Sequence, residues 1–452
     1  MNSKENVLKI RGSENDMTEI IFSFDTEDFT SNTAADAIYR EAEILREQGV
    51  RGGFCVVGLV AKQLLNWGRD DVLEALSHHD ILSHTYKHSI HPTLHEYTDI
   101  EDFETAYKMV EAEEKEGIRL IKEAFPQKEI LGACPPGNQK NYVAMYVYGD
   151  MNLPIYADTL CDTPDGQGMY YCNIYHIQYT FCMENFFGNN SDEYMKKTLD
   201  NLSHHKRVIF YTHPNAAIFS EFWDSVNYLG ENSCEFGEWK ECKKRPEEET
   251  EKYYDSIRRF IKHIKKDERF TITSFSALND KLSKEEKRII KKEDLPFIKE
   301  CLEKDFAPIN NPSYSISDIF LAVKDFLLGK DAHICEKVYG FLDTPQGVLE
   351  ETTLIKEDIL KTAKEMNTDK FLPYEIDIAG KKIGPADFIF AAIDVLLGAE
   401  SVIIKPKKQL PSLDGTPRLR DVNFKGGWIQ SESFEDKYIS KRLRLQSWTM
   451  RF

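Results

Sequence analysis

An alternation of short apolar segments with longer amphipathic segments constrains the fold of residues 19–275 more than any other feature of this sequence. The apolar segments read as strands at 19–24, 50–57, 81–83, 129–133, 153–157, 207–212 and 270–275. The segments between them, such as 34–45, 100–124 and 253–265, carry apolar residues at helical spacing. Strands that alternate with helices form largely parallel sheets, so the pattern predicts an α/β fold.

The predicted strands end in polar or turn-forming residues. These endings are Asp25, His84, the pair Pro135-Pro136, Asp158 and His213. In parallel sheets and barrels, functional groups collect at the carboxyl ends of the strands. We therefore expect these residues to surround one mouth of a barrel.

Two histidines and an acidic cluster at this mouth have the composition of a metal site. His84 and His88 are four positions apart, which would place both imidazoles on one side of a helical turn. The acidic cluster, Asp25 to Asp28, follows the first strand. Glu27 or Asp28 would supply the third ligand, a choice that the sequence leaves open, and another carboxylate would remain for acid–base chemistry.

Each of these residues also has an ordinary structural interpretation. Asp25 and Asp28 could be turn and N-cap residues of the following helix. His213 could be a strand-end histidine, Asp158 a loop acid, and His91 a competitor of His88 with a different spacing. The prediction of a site therefore depends on the ordered coincidence of the motifs, not on one residue.

In this order along the chain, the motifs resemble those of the NodB-type polysaccharide deacetylases, the family 4 carbohydrate esterases. The resemblance covers about residues 18–285 and rests on Phe24-Asp25, residues 54–58, His84-Thr85-x-x-His88, Pro135-Pro136-Gly137 and residues 209–214. It implies a distorted (β/α) barrel, a divalent metal that is usually zinc, and removal of acetyl groups from N- or O-acetylated glycans.

The resemblance also implies roles for individual residues. Asp25 would be the general base, His84 and His88 the imidazole ligands, and His213 the general acid. A carboxylate commonly orients such a histidine through its other ring nitrogen, and Asp158 is our candidate for that carboxylate.

Two departures from the family pattern bear on activity. Thr26 stands where most members have a metal-binding Asp, although a subset reads Asp-x-Glu-Asp, as this chain does. The Arg that normally opens the third motif and contacts the base is missing, because Ala133-Cys134 precede Pro135. Either Asp25 is less constrained, or a tail arginine replaces the missing one; the candidates are Arg418, Arg420, Arg442 and Arg444.

A long insertion at 219–244 follows the strand that ends in His213. It contains Phe222, Trp223, Tyr228, Phe236 and Trp239. Two interpretations are equally open: a lid or sugar-stacking wall, or a long loop whose aromatic residues pack onto the barrel.

The C-terminal part contains an internal repeat. Residues 318–329 and 387–398 share Asp, Ala and Leu-Leu-Gly at matching offsets, which predicts two apolar helices that each end at a glycine. We expect domains at 18–285 and 286–407, the second smaller, mainly helical and carrying the repeat, followed by a tail at 408–452. Residues 372–398 faintly resemble pseudomurein-binding repeats, which implies a glycan-binding role. A packing or dimerisation module is the alternative, and dimerisation would form a homo-oligomer through this domain.

Charge and composition narrow the possible partners. The formal net charge of −18 and the pI near 5.2 disfavour nucleic acids and anionic membrane surfaces. No apolar run long enough for a membrane span and no signal peptide is visible, so a cytoplasmic protein is expected. Nine cysteines without a C-x-x-C pair are typical of reduced thiols.

Together these features predict a metal-dependent hydrolase that removes acetyl groups from N- or O-acetylated sugars or polysaccharides. The missing Arg and the repeats motivate an alternative, a catalytically inactive glycan-binding or scaffolding protein. A metal-dependent amidase for a non-sugar amide would share the fold and differ in the shape of its pocket.

Overall fold

A computed structural model describes residues 17–138, 140–158, 166–228, 234–411, 429–431 and 433–452 of the protein. Two sets of elements follow one another along the chain within these ranges. The first, up to residue 282, is a barrel, and the second, from residue 289, is built from short strands and helices. Of the residues named above, Arg418 and Arg420 lie outside the described ranges.

The barrel is closed by seven parallel strands in the order β1-β2-β3-β4-β5-β7-β8, with β8 pairing back to β1. An additional strand, β6, lies antiparallel to β7, and β9 pairs with the start of β1. The predicted α/β barrel is thus confirmed. The strands are β1 (Thr18–Thr26), β2 (Gly53–Val56), β3 (Asp80–Ser83), β4 (Ile130–Ala133), β5 (Ile155–Asp158), β6 (Met169–Tyr171), β7 (Ile174–Cys182), β8 (Arg207–Thr212) and β9 (Phe270–Ile272).

Helices surround the barrel and connect its strands. They are α1 (Asn32–Glu47), α2 (Gly58–Asn66), α3 (Asp70–Ser77), α4 (Leu94–Thr98), α5 (Phe103–Ala124), α6 (Tyr142–Asp150), α7 (Asp192–Leu202), α8 (Asn215–Ile218), α9 (Trp223–Asn227), α10 (Glu247–Lys266) and α11 (Phe275–Leu282). Phe275 and Leu278 of α11 belong to the barrel interior, so this helix plugs the end of the barrel opposite the strand carboxyl ends.

The period of two along each strand decides which side chains enter the barrel. In β1, Phe22 and Phe24 face outward and pack with the surrounding helices, whereas Ile21 faces the interior. Asp25 shares the parity of Ile21 and therefore points inward at the carboxyl end of the strand. The same parity rule applies to every strand that ends at the barrel mouth.

The second set of elements is a duplicated unit. Each copy consists of a strand, a helix, a short hairpin, a second helix and a last strand that pairs antiparallel with the first. The first copy contains β10 (Ile289–Lys291), α12 (Leu295–Lys304), β11 (Ile309–Asn310), β12 (Ser313–Tyr314), α13 (Ile316–Leu327) and β13 (Ala332–Ile334). The second contains β14 (Thr352–Ile355), α14 (Lys356–Glu365), β15 (Ile376–Ile378), β16 (Lys381–Ile383), α15 (Pro385–Leu396) and β17 (Ser401–Ile404).

The predicted repeat helices, α13 and α15, pack against each other in the core of this second part. Both begin with an aspartate whose carboxylate accepts a main-chain N–H at the N-cap: Asp318 Oδ2 from Ser315 and Asp387 Oδ2 from Gly384. Both are followed by a glycine with positive φ, at Gly329 and Gly398. The matching sequence offsets thus encode matching helix starts and stops.

The C-terminal helix, α16 (Ile439–Leu445), and the turn that follows it join the two parts. Leu443 and Met450 pack in the core around the barrel, while Leu445 and Trp448 pack in the core of the duplicated unit. Among the described residues, no helix combines the length and the apolar content needed to cross a membrane.

Replacing Trp448 by Ala should lower the free energy of unfolding by about 3–5 kcal/mol, the range measured for large aromatic side chains in cores. The indole of Trp448 is fully buried, lies 4.8 Å from the ring of Phe341, and donates Nε1–H to the carbonyl of Gln409 at 2.8 Å. Chemical denaturation measures the change. Phe297→Ala is the matched control, because that ring is 44% exposed; an equal loss in both variants would contradict the prediction.

Candidate active site

A cavity of about 380 Å³ opens at the carboxyl ends of the barrel strands. It is lined by Asp25, Glu27, His84, His88, Cys134, Pro135, Gly137, Tyr179, Glu184, Tyr211, His213 and Phe222. Five of the seven residues predicted for the site line it. Asp28 and Asp158 are not among the lining residues.

Glu27, His84 and His88 form a buried group whose ligand atoms all lie within 4.8 Å of one another. Glu27 Oε2 lies 3.3 Å from His84 Nε2 and 2.8 Å from His88 Nε2. Burial alone would raise the pKa of Glu27, but the charges of His88 and His213 hold that pKa well below its usual value. The carboxylate is therefore ionised and faces both rings.

Hydrogen bonds from neighbouring side chains fix the orientation of Glu27 and His88. Trp223 donates its indole N–H to Glu27 Oε1 at 3.1 Å, so the other carboxylate oxygen turns toward the histidines. His88 Nδ1 lies 2.6 Å from Ser89 Oγ, whose hydroxyl donates to Asp224 Oδ2 at 3.0 Å. Because Ser89 uses its proton on Asp224, it accepts from His88 Nδ1–H, so the neutral form of His88 carries its lone pair on Nε2.

This arrangement fits a divalent cation. The lone pair of His88 Nε2 and a carboxylate oxygen of Glu27 face each other at 2.8 Å, which a shared cation would make favourable. Ligands bound at 2.0–2.2 Å to one ion lie about 3.0–3.5 Å from one another, close to the spacing seen here. A carboxylate with two imidazoles is a usual donor set for zinc and for other divalent metals.

The two histidines do not lie on a helical turn, so that part of the prediction is wrong. His84 follows β3 directly, and the chain then bends through Thr85 and His88, both with positive φ. The main-chain N–H groups of Gly58 and Leu59, at the start of α2, bind the carbonyls of Thr85 and Tyr86. The strand end and this bend, not helical periodicity, bring the two imidazoles together.

The bend also depends on two glycines. A Cβ on Gly58 would lie 2.8 Å from Gly117 Cα, and a Cβ on Gly117 would lie 2.9 Å from Tyr86 Cα. Both positions therefore allow the backbone of this loop to approach α2 and α5 closely.

Asp28 and His91 have other partners. Asp28 Oδ1 accepts from the main-chain N–H and the hydroxyl of Thr30 at 2.9 and 2.7 Å, as expected for a turn residue. His91 Nδ1 lies 2.8 Å from Glu96 Oε2. Within the predicted pair of acids, the structure therefore groups Glu27, and not Asp28, with the histidines.

Asp25 and His213 lie side by side and line the same cavity as the metal-ligand group, Glu27 with His84 and His88. His213 Nε2 is 3.7 Å from Asp25 Oδ2. His213 Nδ1 lies 2.6 Å from Glu184 Oε1, which also accepts the main-chain N–H of His213 at 3.0 Å. Burial would lower the pKa of His213, but the charges of Glu184, Glu27 and Asp25 outweigh it and raise that pKa to about 10. The imidazole is thus protonated and held by Glu184.

The carboxylate that orients His213 is Glu184, which corrects the assignment of this role to Asp158. In β5, Ile155 and Ala157 face the barrel interior, whereas Tyr156 packs outside with the helices. Asp158 shares the parity of Tyr156 and points away from the mouth. A polar strand ending does not by itself place a side chain in the cavity.

The substitute-arginine prediction fails for Arg442. Its guanidinium donates to the main-chain carbonyls of Glu101 and Leu342, at 2.6 and 3.2 Å. Arg444 lines a different cavity, together with Asp436 and Lys437. In place of an arginine, a neutral side chain contacts Asp25: Tyr179 donates its hydroxyl proton to Asp25 Oδ1 at 2.7 Å.

The aromatic residues of the insertion mainly pack the loop. Trp223 and Tyr228 are buried, and Trp239 donates its indole N–H to the Tyr228 hydroxyl at 2.7 Å. Phe222 alone among the five lines the cavity, with its ring 5.1 Å from that of His213. The packing interpretation holds for most of them, while Phe222 forms part of the cavity wall.

Four site residues were not predicted from the sequence: Tyr179, Glu184, Trp223 and Asp224. The first two lie on or just after β7, a strand that was not predicted. Its signal is the alternation Tyr175, Ile177, Tyr179 on one face, followed by an acidic residue at 184. Trp223 contacts Glu27, and Asp224 contacts Ser89 beside His88. Nothing in their local sequence pattern distinguishes them from packing residues.

Replacing Asp224 by Asn should weaken metal binding about 10- to 100-fold, the usual scale for a residue that orients a metal-binding histidine. Asn can donate its amide to Ser89, which would reverse the hydrogen bond and release His88 from its tautomer. Competition with a chelating dye measures the affinity. Glu221→Gln, which removes an acid from the same insertion, is the control and should leave the metal affinity unchanged. Equal affinities in wild type and Asp224→Asn would contradict the role of Asp224 in orienting His88.

Comparison with known proteins gives matches at the level of structure. No protein-family model and no curated protein matches the chain, so the faint likeness to pseudomurein-binding repeats is unsupported. A protein assigned as a polysaccharide deacetylase from Mycobacterium smegmatis matches with 14% identity and a TM-score of 0.39, covering 60% of this chain and 93% of that one.

Two further solved structures show the range of the matches. A CE4 family pseudoenzyme from Bacillus anthracis has 12% identity and a TM-score of 0.34, with 58% of this chain and 66% of that chain covered. A 4-alpha-glucanotransferase from Thermococcus litoralis has 14% identity and a TM-score of 0.40, with 69% and 45% covered. At these TM-scores the matches add nothing to the site, which follows from the contacts above.

Proposed function

We propose that this protein is a metal-dependent hydrolase that removes acetyl groups from N- or O-acetylated saccharides. One observation carries the proposal: a metal-ligand group, Glu27 with His84 and His88, and an acid–base pair, Asp25 with His213, line the same cavity. Hydrolysis of an amide or ester needs an activated water, stabilisation of the oxyanion and a proton for the leaving group. The lining residues can provide or support each of these.

The metal would be held by Glu27 Oε2 and by the Nε2 atoms of His84 and His88. When bound, a divalent ion, for which zinc fits the donor set, supplies a Lewis acid that polarises a carbonyl and lowers the pKa of water. Trp223 and the Ser89–Asp224 pair keep these ligands oriented, as described above.

The proton transfers are assigned to Asp25 and His213. Asp25 Oδ2 faces the cavity and accepts the proton of the attacking water as general base. His213 is protonated, and its Nε2–H donates to the nitrogen or oxygen of the departing sugar. Glu184 accepts from Nδ1 throughout, so the imidazole donates from Nε2 and keeps its orientation.

The lining also supports a saccharide substrate. Tyr211 and Phe222 provide aromatic faces beside His213, and Pro135 also lines the cavity. Aromatic faces suit the apolar sides of sugar rings. Among the described residues, no Lys or Arg lines the cavity, so a neutral sugar suits it better than an anionic one. The motif resemblance supports acetyl as the group removed.

Release of acetate from acetylated mono- and oligosaccharides tests the proposal, with metal content measured on the same sample. Wild-type protein should release acetate, and the His84→Ala variant, as blank, should not. Metal binding without acetate release from any acetylated saccharide would favour an inactive glycan-binding or scaffolding protein. If the protein hydrolyses non-sugar acetamides but no acetylated saccharide, the alternative of a metal-dependent amidase for a non-sugar amide is favoured.

A further inference from the structure

The phenol oxygen of Tyr179 is the centre of a buried polar cluster inside the barrel mouth. Asp25 Oδ1 lies 2.7 Å from it, Cys134 Sγ 2.9 Å and Ser23 Oγ 3.0 Å. Cys55 Sγ is a more distant neighbour at 3.7 Å. Each of these side chains is buried.

The cluster is not a second metal site. Asp25, Cys55 and Cys134 have ligand atoms close enough together to hold a cation. Their common centre, however, is filled by the hydroxyl of Tyr179, which contacts all three. Together with Ser23, these three groups form a hydrogen-bonded network around the hydroxyl of Tyr179.

The chemistry of the groups sets the direction of the bonds. A carboxylate oxygen accepts, so the one phenol proton is donated to Asp25 Oδ1. Ser23 and Cys134 can then donate their own protons to the phenol oxygen. Burial, with the nearby charge of Asp25, raises the pKa of Tyr179 well above its usual value, so the phenol keeps its proton.

We propose that Tyr179 is a positioning residue that holds the general base, Asp25, in its working orientation. With Oδ1 held by the phenol, Oδ2 faces the cavity and lies 3.7 Å from His213 Nε2. Among the described residues, no Lys or Arg contacts Asp25; the short hydrogen bond to its carboxylate comes from the neutral phenol of Tyr179, and the imidazole of His213 is more distant. This inference rests on the proposed function, in which Asp25 is the base.

The backbone of β7 aims Tyr179 at the base. The register between β7 and β8 shifts between Tyr179 and Phe181. The hydroxyl of Thr180, at this irregularity, accepts the main-chain N–H of Ile209 at 3.2 Å. Strand irregularities of this kind often re-aim a side chain beside an active site. The Tyr179 ring also stacks on Tyr211, with centroids 4.5 Å apart and an angle of 15°.

The test is Tyr179→Phe, which removes one hydroxyl and keeps the ring. We expect kcat for acetate release to fall about 10- to 100-fold, the scale for losing a hydrogen bond to a charged group, with KM within about 2-fold and the metal content unchanged. Tyr175→Phe is the matched control, because Tyr175 lies on the same inner face of β7 but hydrogen-bonds Arg207, away from the cavity. The Tyr175→Phe variant should have a kcat within about 2-fold of that of wild-type protein.

A double-mutant cycle separates positioning from a general loss of structure. In an Asp25→Asn background, Tyr179→Phe should change the residual rate by less than about 3-fold, since the group it positions is gone. A full effect in that background, a kcat within about 2-fold of wild type in the single variant, or loss of metal would overturn the inference. If wild-type protein releases no acetate, the proposed function fails instead, which is a distinguishable result.

Discussion

Replacing Glu27 by Gln, or His84 by Ala, is expected to empty the metal site and to abolish acetate release. Glu27 is the only carboxylate that faces both imidazoles among the described residues, at 2.8 and 3.3 Å. Gln removes the negative charge that offsets the charge of a divalent ion. We expect metal affinity to fall by more than about 10²-fold, beyond the effect of residues that only orient ligands. Metal analysis after dialysis measures it.

Asp28→Asn is the matched control for this prediction. It removes the neighbouring acid, which binds Thr30 and not the histidines. The variant should keep its metal and its activity, apart from a small loss of stability. The opposite pattern, with metal lost from Asp28→Asn and retained in Glu27→Gln, would show that the other acid of the pair is the ligand.

Asp25→Asn and His213→Gln should each lower kcat by about 10²-fold or more while the metal content stays near that of wild type. Neither residue belongs to the metal-ligand group, and removal of a positioned acid or base costs roughly this factor. Gln keeps a polar side chain near Glu184 but cannot protonate a leaving group. Initial rates and metal analysis on the same preparations measure both quantities.

His78→Gln is the surface control for the histidine change, because that side chain is about half exposed and pairs with Glu74. It should retain wild-type kcat. If Asp25→Asn loses its metal, Asp25 is a ligand and the assignment of the base is wrong. If His213→Gln keeps full activity, another group protonates the leaving atom.

The barrel and half of the site could be predicted because their signals are local. The strand at 207–212 was predicted with the observed ends, and its inner parity carries through Ile209 and Tyr211 to His213. The same parity turns Asp158 outward, a distinction that a list of polar strand endings ignores. The alternation of inward and outward side chains along β5 can be read from the sequence, and it would have excluded Asp158 from the cavity.

Other parts of the site depend on contacts that are distant in sequence. Glu27 differs from Asp28 because Trp223, 196 positions away, donates to its carboxylate. The arginine expected beside Asp25 is absent, and the hydroxyl that contacts this carboxylate, from Tyr179, lies on β7, 154 positions from Asp25. No periodicity near residues 25–28 contains this information, since it arises only when the barrel closes.

In the C-terminal part, the long apolar helices of the repeat could be predicted and the short strands could not. The strands that frame each copy have only three or four residues, such as Ile289–Lys291 and Ser401–Ile404. Such short segments have too few alternating positions to give a clear period of two. The duplicated unit is therefore larger than the aligned helices that revealed it.

The packing of residues 443–450 has a consequence for folding during synthesis. Leu443 and Met450 complete the core around the barrel, and Trp448 completes the core of the duplicated unit. Domains usually fold in order as they leave the ribosome, the N-terminal one first. Here neither core can acquire its last side chains until residues 443–450 have emerged. A chain that stops before residue 443 would therefore leave both cores unfinished.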